Sequence, residues 1–178
     1  PAEQLYTNQI KPYYRAPHLL IGFPARYVDR GWIDATRRLP SLELRQQRAK
    51  THPRYGSAVT DGLLMTSRDG LSFHRWDEAF LRPGLRTRHN WAYGDNYLAW
   101  HVVETASTED DSPRELSLYA SESYFTGKFS RLRRYTLRLD GFASVFAPRA
   151  GGEFVTKPLI FAGQHLSLNF STSAAGSI

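Results

Sequence analysis

The 178-residue chain contains no cysteine, which excludes disulfides and thiolate metal sites and leaves the redox compartment open. It has no run of about 18 apolar residues, so no membrane-spanning helix is expected. A Gly-x-Ser-x-Gly elbow is missing, and with it the nucleophilic serine of that class. A Gly-x-x-x-x-Gly-Lys phosphate loop is missing as well. None of His18, His52, His74, His89, His101 and His165 falls at a His-x-x-x-His spacing, so the motifs call for no metal and no cofactor. The formal charge is +6, mostly from arginine, but no block of about five or six like charges occurs, and nucleic acid is not expected as a partner. No charged-then-apolar leader opens the chain, which starts at Pro1; a segment processed or cut from something longer is expected.

A hydrophobic fraction of 41% with 13% aromatic residues is enough to fill a core. The rest of the chain is organised around Asn90-Trp91-Ala92-Tyr93-Gly94-Asp95-Asn96, a polar and aromatic approach that runs into residues 97–104, which are large, aromatic or β-branched. That composition predicts a strand over 97–104. The approach brings a carboxylate, an amide and aromatic rings together, the mixture a sugar site needs: ring faces for C–H surfaces, Asp95 and Asn96 for hydroxyls. The alternative is a tight turn in which Asp95 and Asn96 serve only the backbone.

Upstream, residues 5–17 carry Pro12 and Pro17 among tyrosines and read as extended chain with turns. Leu19-Leu20-Ile21-Gly22-Phe23 reads as a buried strand limited by Pro24, with Arg15 and His18 before it as Asp95 and Asn96 stand before the later strand. Residues 29–57 form an arginine-rich insertion expected at the surface, with one short helix around Leu42–Ala49. Strands are then predicted over 62–67 and 71–76, joined by an Asp69-Gly70 turn, and over 114–120 and 132–139, joined by a polar turn at 121–128.

An apolar inner strand followed by a more amphipathic hairpin occurs twice, over 18–76 and 96–139, which is the content of two β-propeller blades. Propellers need at least about four blades. Residues 1–142 are therefore expected to be part of a ring completed by the remainder of a parent chain or by a complementary fragment. After them, candidate strands at 143–146, 152–156, 159–161 and 166–170 have the spacing of the opening of a β-sandwich over 143–178. The expected class is all-β: a partial propeller, then the first strands of a sandwich.

The runs Arg15-Ala16-Pro17-His18, Thr60-Asp61-Gly62-Leu63, Ser67-Arg68-Asp69-Gly70, Tyr93-Gly94-Asp95-Asn96-Tyr97, Leu132-Arg133-Arg134-Tyr135-Thr136-Leu137-Arg138 and Asn169-Phe170-Ser171-Thr172-Ser173-Ala174-Ala175-Gly176 resemble a bacterial glycosidase-like family. That family is similar to the five-bladed β-propeller glycoside hydrolases of families 32, 43 and 68, in which a β-sandwich follows the propeller. The resemblance implies that these are the last two of five blades and that the principal catalytic carboxylates lie in the first three. It also implies carbohydrate as the ligand, and a secreted or periplasmic setting would suit it. No Arg-Asp-Pro triplet and no Asn-Asp-Pro-Asn motif occurs here.

Glycoside hydrolysis needs two carboxyls, about 5 to 5.5 Å apart for retention or about 6.5 to 9.5 Å for inversion. Asp95, beside Trp91, Tyr93 and Tyr97, is the first catalytic candidate. Glu104 lies nine strand steps away, about 30 Å at about 3.3 Å per residue, and cannot be its pair. Asp61, just before an apolar run, is the second candidate, with a turn role as its alternative. Arg15, His18, Trp91, Tyr93 and Asn96 are the candidate substrate-binding residues. On this reading the parent protein hydrolyses glycosides; the alternative is a module that binds a glycan without cleaving it. A funnel-lining Asp95 could be removed with little change in stability, whereas a turn-only Asp95 could not.

Overall fold

The computed structural model describes residues 3–91, 93 and 95–178, so Ala92 and Gly94 of the organising stretch lie outside the described residues. The chain is mostly β-strand in antiparallel sheets with few helices, an all-β class, and it divides into two units, Pro1–Phe142 and Ala143–Ile178. The first unit contains β1 (Glu3–Tyr6), β2 (Lys11–Tyr13), β3 (Ala16–Gly22), β4 (Ala25–Asp29), α1 (Asp34–Arg37), α2 (Leu42–Ala49) and α3 (Arg54–Ser57). It continues with β5 (Ala58–Gly62), β6 (Met65–Ser67), β7 (His74–Arg75), β8 (Tyr97–Leu98), β9 (Val103–Thr105), β10 (Glu115–Glu122) and β11 (Arg131–Arg138).

Strands β3 and β4 run against β5 and β6 in one unbroken register, from Leu20↔Ser67 through Ala25↔Gly62 to Asp29↔Ala58. Pro24 interrupts the ladder because it has no N–H to donate, yet its carbonyl still accepts from the Leu63 N–H at 2.9 Å. The sheets β1-β4-β5 and β2-β3-β6-β7 are thus consecutive stretches of one antiparallel meander. The strand expected over 62–67 starts earlier, at Ala58, and breaks opposite Pro24. In the next turn Asp69 Oδ1 accepts from the backbone N–H groups of Ser72 (2.8 Å) and Leu71 (2.9 Å) and from Ser67 Oγ (2.9 Å). Those bonds, the Ser72 one foremost, pull the Asp69 carboxyl to about 2, and the residue is a turn former.

The second meander is β8 and β9 against β10, then β10 against β11. The strand expected over 97–104 is interrupted. Leu98 faces Ala120 and Val103 faces Ser117, so the residues between make a bulge opposite Leu118 and Tyr119, with His101 at φ 62. Along β10, Leu116, Leu118 and Ala120 alternate into the core, which also takes Tyr13, Ile21, Phe23, Leu64, Leu98 and Val102. Full burial of Phe23 or Leu116 contributes about 1.5–3 kcal/mol each. The two meanders approach closely at Gly62: a Cβ there would lie 2.8 Å from Leu98 Cδ1 and 3.2 Å from Asn96 O.

Residues 30–57 are the loop of the β4–β5 hairpin, and α2 covers Leu42–Ala49 as the sequence predicts. The segment is not purely surface. Arg45 is fully buried, its Nε donating to Pro40 O and its Nη1 to Gly56 O, each at 3.1 Å. A guanidinium with carbonyl acceptors thus takes the place of an apolar core in a segment with few large hydrophobics. Gly56 permits the approach, since a Cβ there would meet Arg45 O at 2.5 Å.

The second unit, Ala143–Ile178, forms no strand; the runs at 143–146, 152–156, 159–161 and 166–170 are exposed irregular chain punctuated by turns. Apolar runs become strands only where other strands pair with them, and within this unit none does.

Candidate functional site

Asp95 closes the approach to β8 and is 3% exposed. Its Oδ1 accepts from the Ser123 backbone N–H at 2.6 Å, and its carbonyl accepts from Thr60 Oγ1 at 2.7 Å. It is therefore tied to both meanders at once. Next to it, Asn96 is fully buried at φ 60, a left-handed conformation that asparagine tolerates better than most residues. Its N–H donates to Ser121 O at 2.8 Å, while neither carboxamide atom has a hydrogen-bond partner among the described residues.

Asp95 and Asn96 line a cleft of about 300 Å³ together with Asn90, Glu122, Arg131 and Arg133. Glu122 occupies the core-facing side of β10, two residues beyond Ala120, where apolar packing gives way to polar groups. Its Oε2 accepts from Arg131 Nε at 2.6 Å, its Oε1 from Tyr135 Oη at 2.5 Å, and Arg133 Nη1 lies 3.3 Å from Oε1. Burial pushes the Glu122 carboxyl up, but the bonds from Tyr135 and Arg131 and the charges of Arg133 and Arg131 outweigh it, leaving a net downward shift. Asn90 braces the rim, accepting from Thr87 N–H at 2.6 Å and donating to Pro83 O at 2.8 Å.

Behind Asp95 lies an aromatic and cationic cluster. Tyr93 packs edge-on against Tyr27, Tyr55 and Phe125 at centroid distances of 5.7, 5.7 and 5.9 Å. Arg48 lies 6.0 Å from the Tyr93 ring and 5.9 Å from Phe125, and Arg54 lies 5.5 Å from Tyr27. The charge of Asp95 reaches both Arg45 and Arg48. Burial pushes the Arg45 guanidinium down to about 10, with the Arg48 charge adding to the shift.

The residues singled out in the sequence are distributed unevenly. Trp91, Tyr93, Asp95 and Asn96 lie at this end, Trp91 at φ 56 with its Nε1 donating to Gly84 O at 2.8 Å on the cleft rim. Tyr93 is the half-buried hub of the ring cluster, and the open faces belong to Tyr124 and Phe125. Asp61 is held by Arg26 through two bonds, Nε to Oδ1 at 2.9 Å and Nη2 to Oδ2 at 2.7 Å, which engages both oxygens in a cross-strand ion pair.

Arg15 is not brought to the cleft. Its Nε donates to both oxygens of Asp140, at 3.0 and 3.1 Å, and Tyr13 Oη joins at 2.7 Å. Asp140 follows the end of β11 opposite Arg131, about 24 Å along the strand at about 3.4 Å per residue. His18 is exposed on β3, about nine residues and about 30 Å of extended chain from Tyr27, the partner of Thr60. Glu104 belongs to the Arg15 end, accepting from Tyr14 Oη and, at 2.6 Å, from Arg114 Nε. Among the described residues no group of three or more His, Asp or Glu side chains is placed to hold a metal ion.

Two participants were missed from sequence. Glu122 falls at i+6 from Leu116, in phase with Leu118 and Ala120, so carrying the alternation beyond residue 120 finds it. Arg45 falls between Leu42 and Ala49 at i+3 and i+7 spacing on α2, the inward stripe of a short helix. The chain matches no protein-family profile, no curated protein and no solved structure. No helix among the described residues is long and apolar enough to cross a membrane.

Proposed function

We propose that this chain is part of a carbohydrate-active protein of the propeller glycosidase type, and that its own share is to hold sugar hydroxyls in the cleft lined by Asp95, Asn96 and Glu122. The observation that carries this reading is Asn96, a fully buried residue of the cleft lining whose carboxamide oxygen and nitrogen are both unpaired among the described residues. Such an amide offers one acceptor and two donors, the complement of adjacent hydroxyls. The two meanders are, on this reading, the last two blades, and the remainder of a parent chain or a complementary fragment completes the ring.

A second reading, binding without cleavage, is favoured by the state of the carboxyls. Glycoside hydrolysis requires one carboxyl that stays protonated to serve the leaving group. Glu122 is shifted down by its bonds from Tyr135 and Arg131, so it is not set to be that acid, and Asp61 is not among the cleft-lining residues and has both oxygens engaged by Arg26. If the parent protein turns substrate over, its proton donor comes from outside these residues. A panel of neutral and acidic oligosaccharides titrated against tryptophan fluorescence, run beside aryl glycosides, separates the cases. Saturable binding without aglycone release is the outcome expected of this chain, and absence of binding to any glycan refutes the carbohydrate reading.

A further inference from the structure

Arg45 Nη2, Arg48 Nε, Nη1 and Nη2, and Arg54 Nε are all buried nitrogens with no hydrogen-bond acceptor among the described residues. Guanidinium groups keep their charge at any ordinary pH, so these donors cannot be silenced by losing a proton. A buried cation with donors left unpaired is costly for a fold to retain, and replacing one with an apolar side chain often stabilises. The cluster also carries excess charge. Asp95 acts on Arg45 and Arg48, and Asp29, whose Oδ1 already accepts from Ser57 Oγ and the Gly31 N–H, feels Arg54, so three cations face two carboxylates. A persistent group of buried donors with surplus positive charge has the composition of an oxyanion site.

We propose that the Arg45–Arg48–Arg54 cluster binds an oxyanion, a carboxylate or sulfate carried by the glycan, so that the ligand of the neighbouring cleft is an acidic sugar. This rests on the carbohydrate reading of the cleft, to which the cluster is joined through Asp95. Planar, forked guanidinium groups match carboxylate and sulfate oxygens bidentately, which hydroxyls of a neutral sugar do not exploit. The cover over Arg48 is made of Tyr93 and Phe125. Phe125 is 57% exposed, and Phe125 and Ser123 both sit at positive φ in the turn after β10, so the proposed entry is past that side chain. Hydroxyls then meet Asn96 and Asp95 while the anion replaces ring faces over Arg48.

The test measures thermal shift and calorimetric affinity of the whole chain with glucuronate, glucose, sodium sulfate and sodium chloride, in wild type, Arg48→Gln and Arg48→Met. Glucuronate is expected to bind about tenfold or more tightly than glucose, consistent with charge-assisted hydrogen bonding. Sulfate alone should raise the melting temperature where chloride at equal ionic strength does not, and both effects should vanish in the two variants. Without any anion Arg48→Met should melt at or above wild type, because it removes unpaired buried donors, and it keeps the test alive if Arg48→Gln folds poorly. Equal binding of glucose and glucuronate, unchanged in the variants, overturns the oxyanion site and leaves the carbohydrate cleft standing. A sulfate response without binding of either sugar supports the oxyanion site and refutes its link to a glycan. No response to sulfate or glucuronate overturns the proposal outright.

Discussion

The Asp95 carboxylate accepts the backbone N–H of Ser123 at 2.6 Å, clamping the approach to β8 onto the end of β10. The same residue lines the cleft, so the clamp and the proposed ligand contact fall on one side chain. A buried hydrogen bond to a charged group is worth about 1.5–3 kcal/mol. Asp95→Ala is therefore expected to lose about that much stability in chemical denaturation and to weaken glycan binding as well. Asp95→Asn, which keeps an acceptor, should recover most of the stability. An Asp95→Ala variant as stable as wild type would mean that the clamp carries no weight.

Asp61 makes the opposite case. With both oxygens on Arg26 in a part-buried pair, Asp61→Ala leaves Arg26 with only the Glu3 carboxylate and the Asp77 carbonyl, and should destabilise by about 1–3 kcal/mol. Glycan affinity per folded molecule should not change. A selective loss of affinity at unchanged stability would return Asp61 to the site.

The difference between these two aspartates shows what local sequence carries. The Asp69-Gly70 turn, helix α2 and the strands around Leu116 and Tyr135 follow from periodicity and turn chemistry, which act over a few residues. The ends of elements do not. Residues 97–104 contain no glycine or proline to announce a bulge, and β10 outlasts its apolar residues by a full alternation, which hid Glu122. Long-range ion pairs were not legible either: Arg26 with Asp61 and Arg15 with Asp140 depend on register and on the approach of distant strands. The same limitation placed Arg15 and His18 beside Asp95 by analogy of position, when they lie at the other end of the strands. Within Ala143–Ile178, apolar runs with strand spacing have no strands to pair with in their own unit.

The pH response has a calculable sign. His101 is buried at the bulge, and burial, with the Lys11 charge second, lowers its affinity for a proton below that of the unfolded chain. The unfolded state then binds the extra proton first, so this contribution is complete above about pH 6.5 and is lost as pH falls below it. Glu122, Asp29 and Asp140, whose carboxyls are also shifted down, add a second loss beginning near the ordinary carboxylate range, about pH 4.5 and lower. Melting temperature should accordingly fall in two stages from pH 7.5 to pH 3. His101→Asn, which tolerates the positive φ, should remove the first stage only. A flat profile between pH 7 and pH 5 in wild type would contradict the His101 assignment.

Tyr13, Tyr27, Tyr97 and Tyr135 are all shifted up, burial being the main cause in each and Tyr97 and Tyr135 reaching about 12. Their contribution is complete below about pH 10 and declines as pH rises through the folded-state values. Spectrophotometric titration of tyrosinate should therefore show a late fraction that ionises together with unfolding. Complete, reversible ionisation near pH 10 in the folded state would refute the burial of these hydroxyls.

Glycan recognition by the Asn96 carboxamide is the central claim, and one variant isolates it. Asn96→Gly removes the carboxamide while glycine adopts φ 60 without strain, so backbone geometry and the Ser121 contact are retained. Isothermal titration of wild type and Asn96→Gly with the tightest-binding oligosaccharide is the direct measurement. Loss of a donor and an acceptor, each worth about 0.5–1.5 kcal/mol, predicts about a tenfold or greater fall in affinity at nearly unchanged melting temperature. Equal affinity in a folded Asn96→Gly protein would contradict the account.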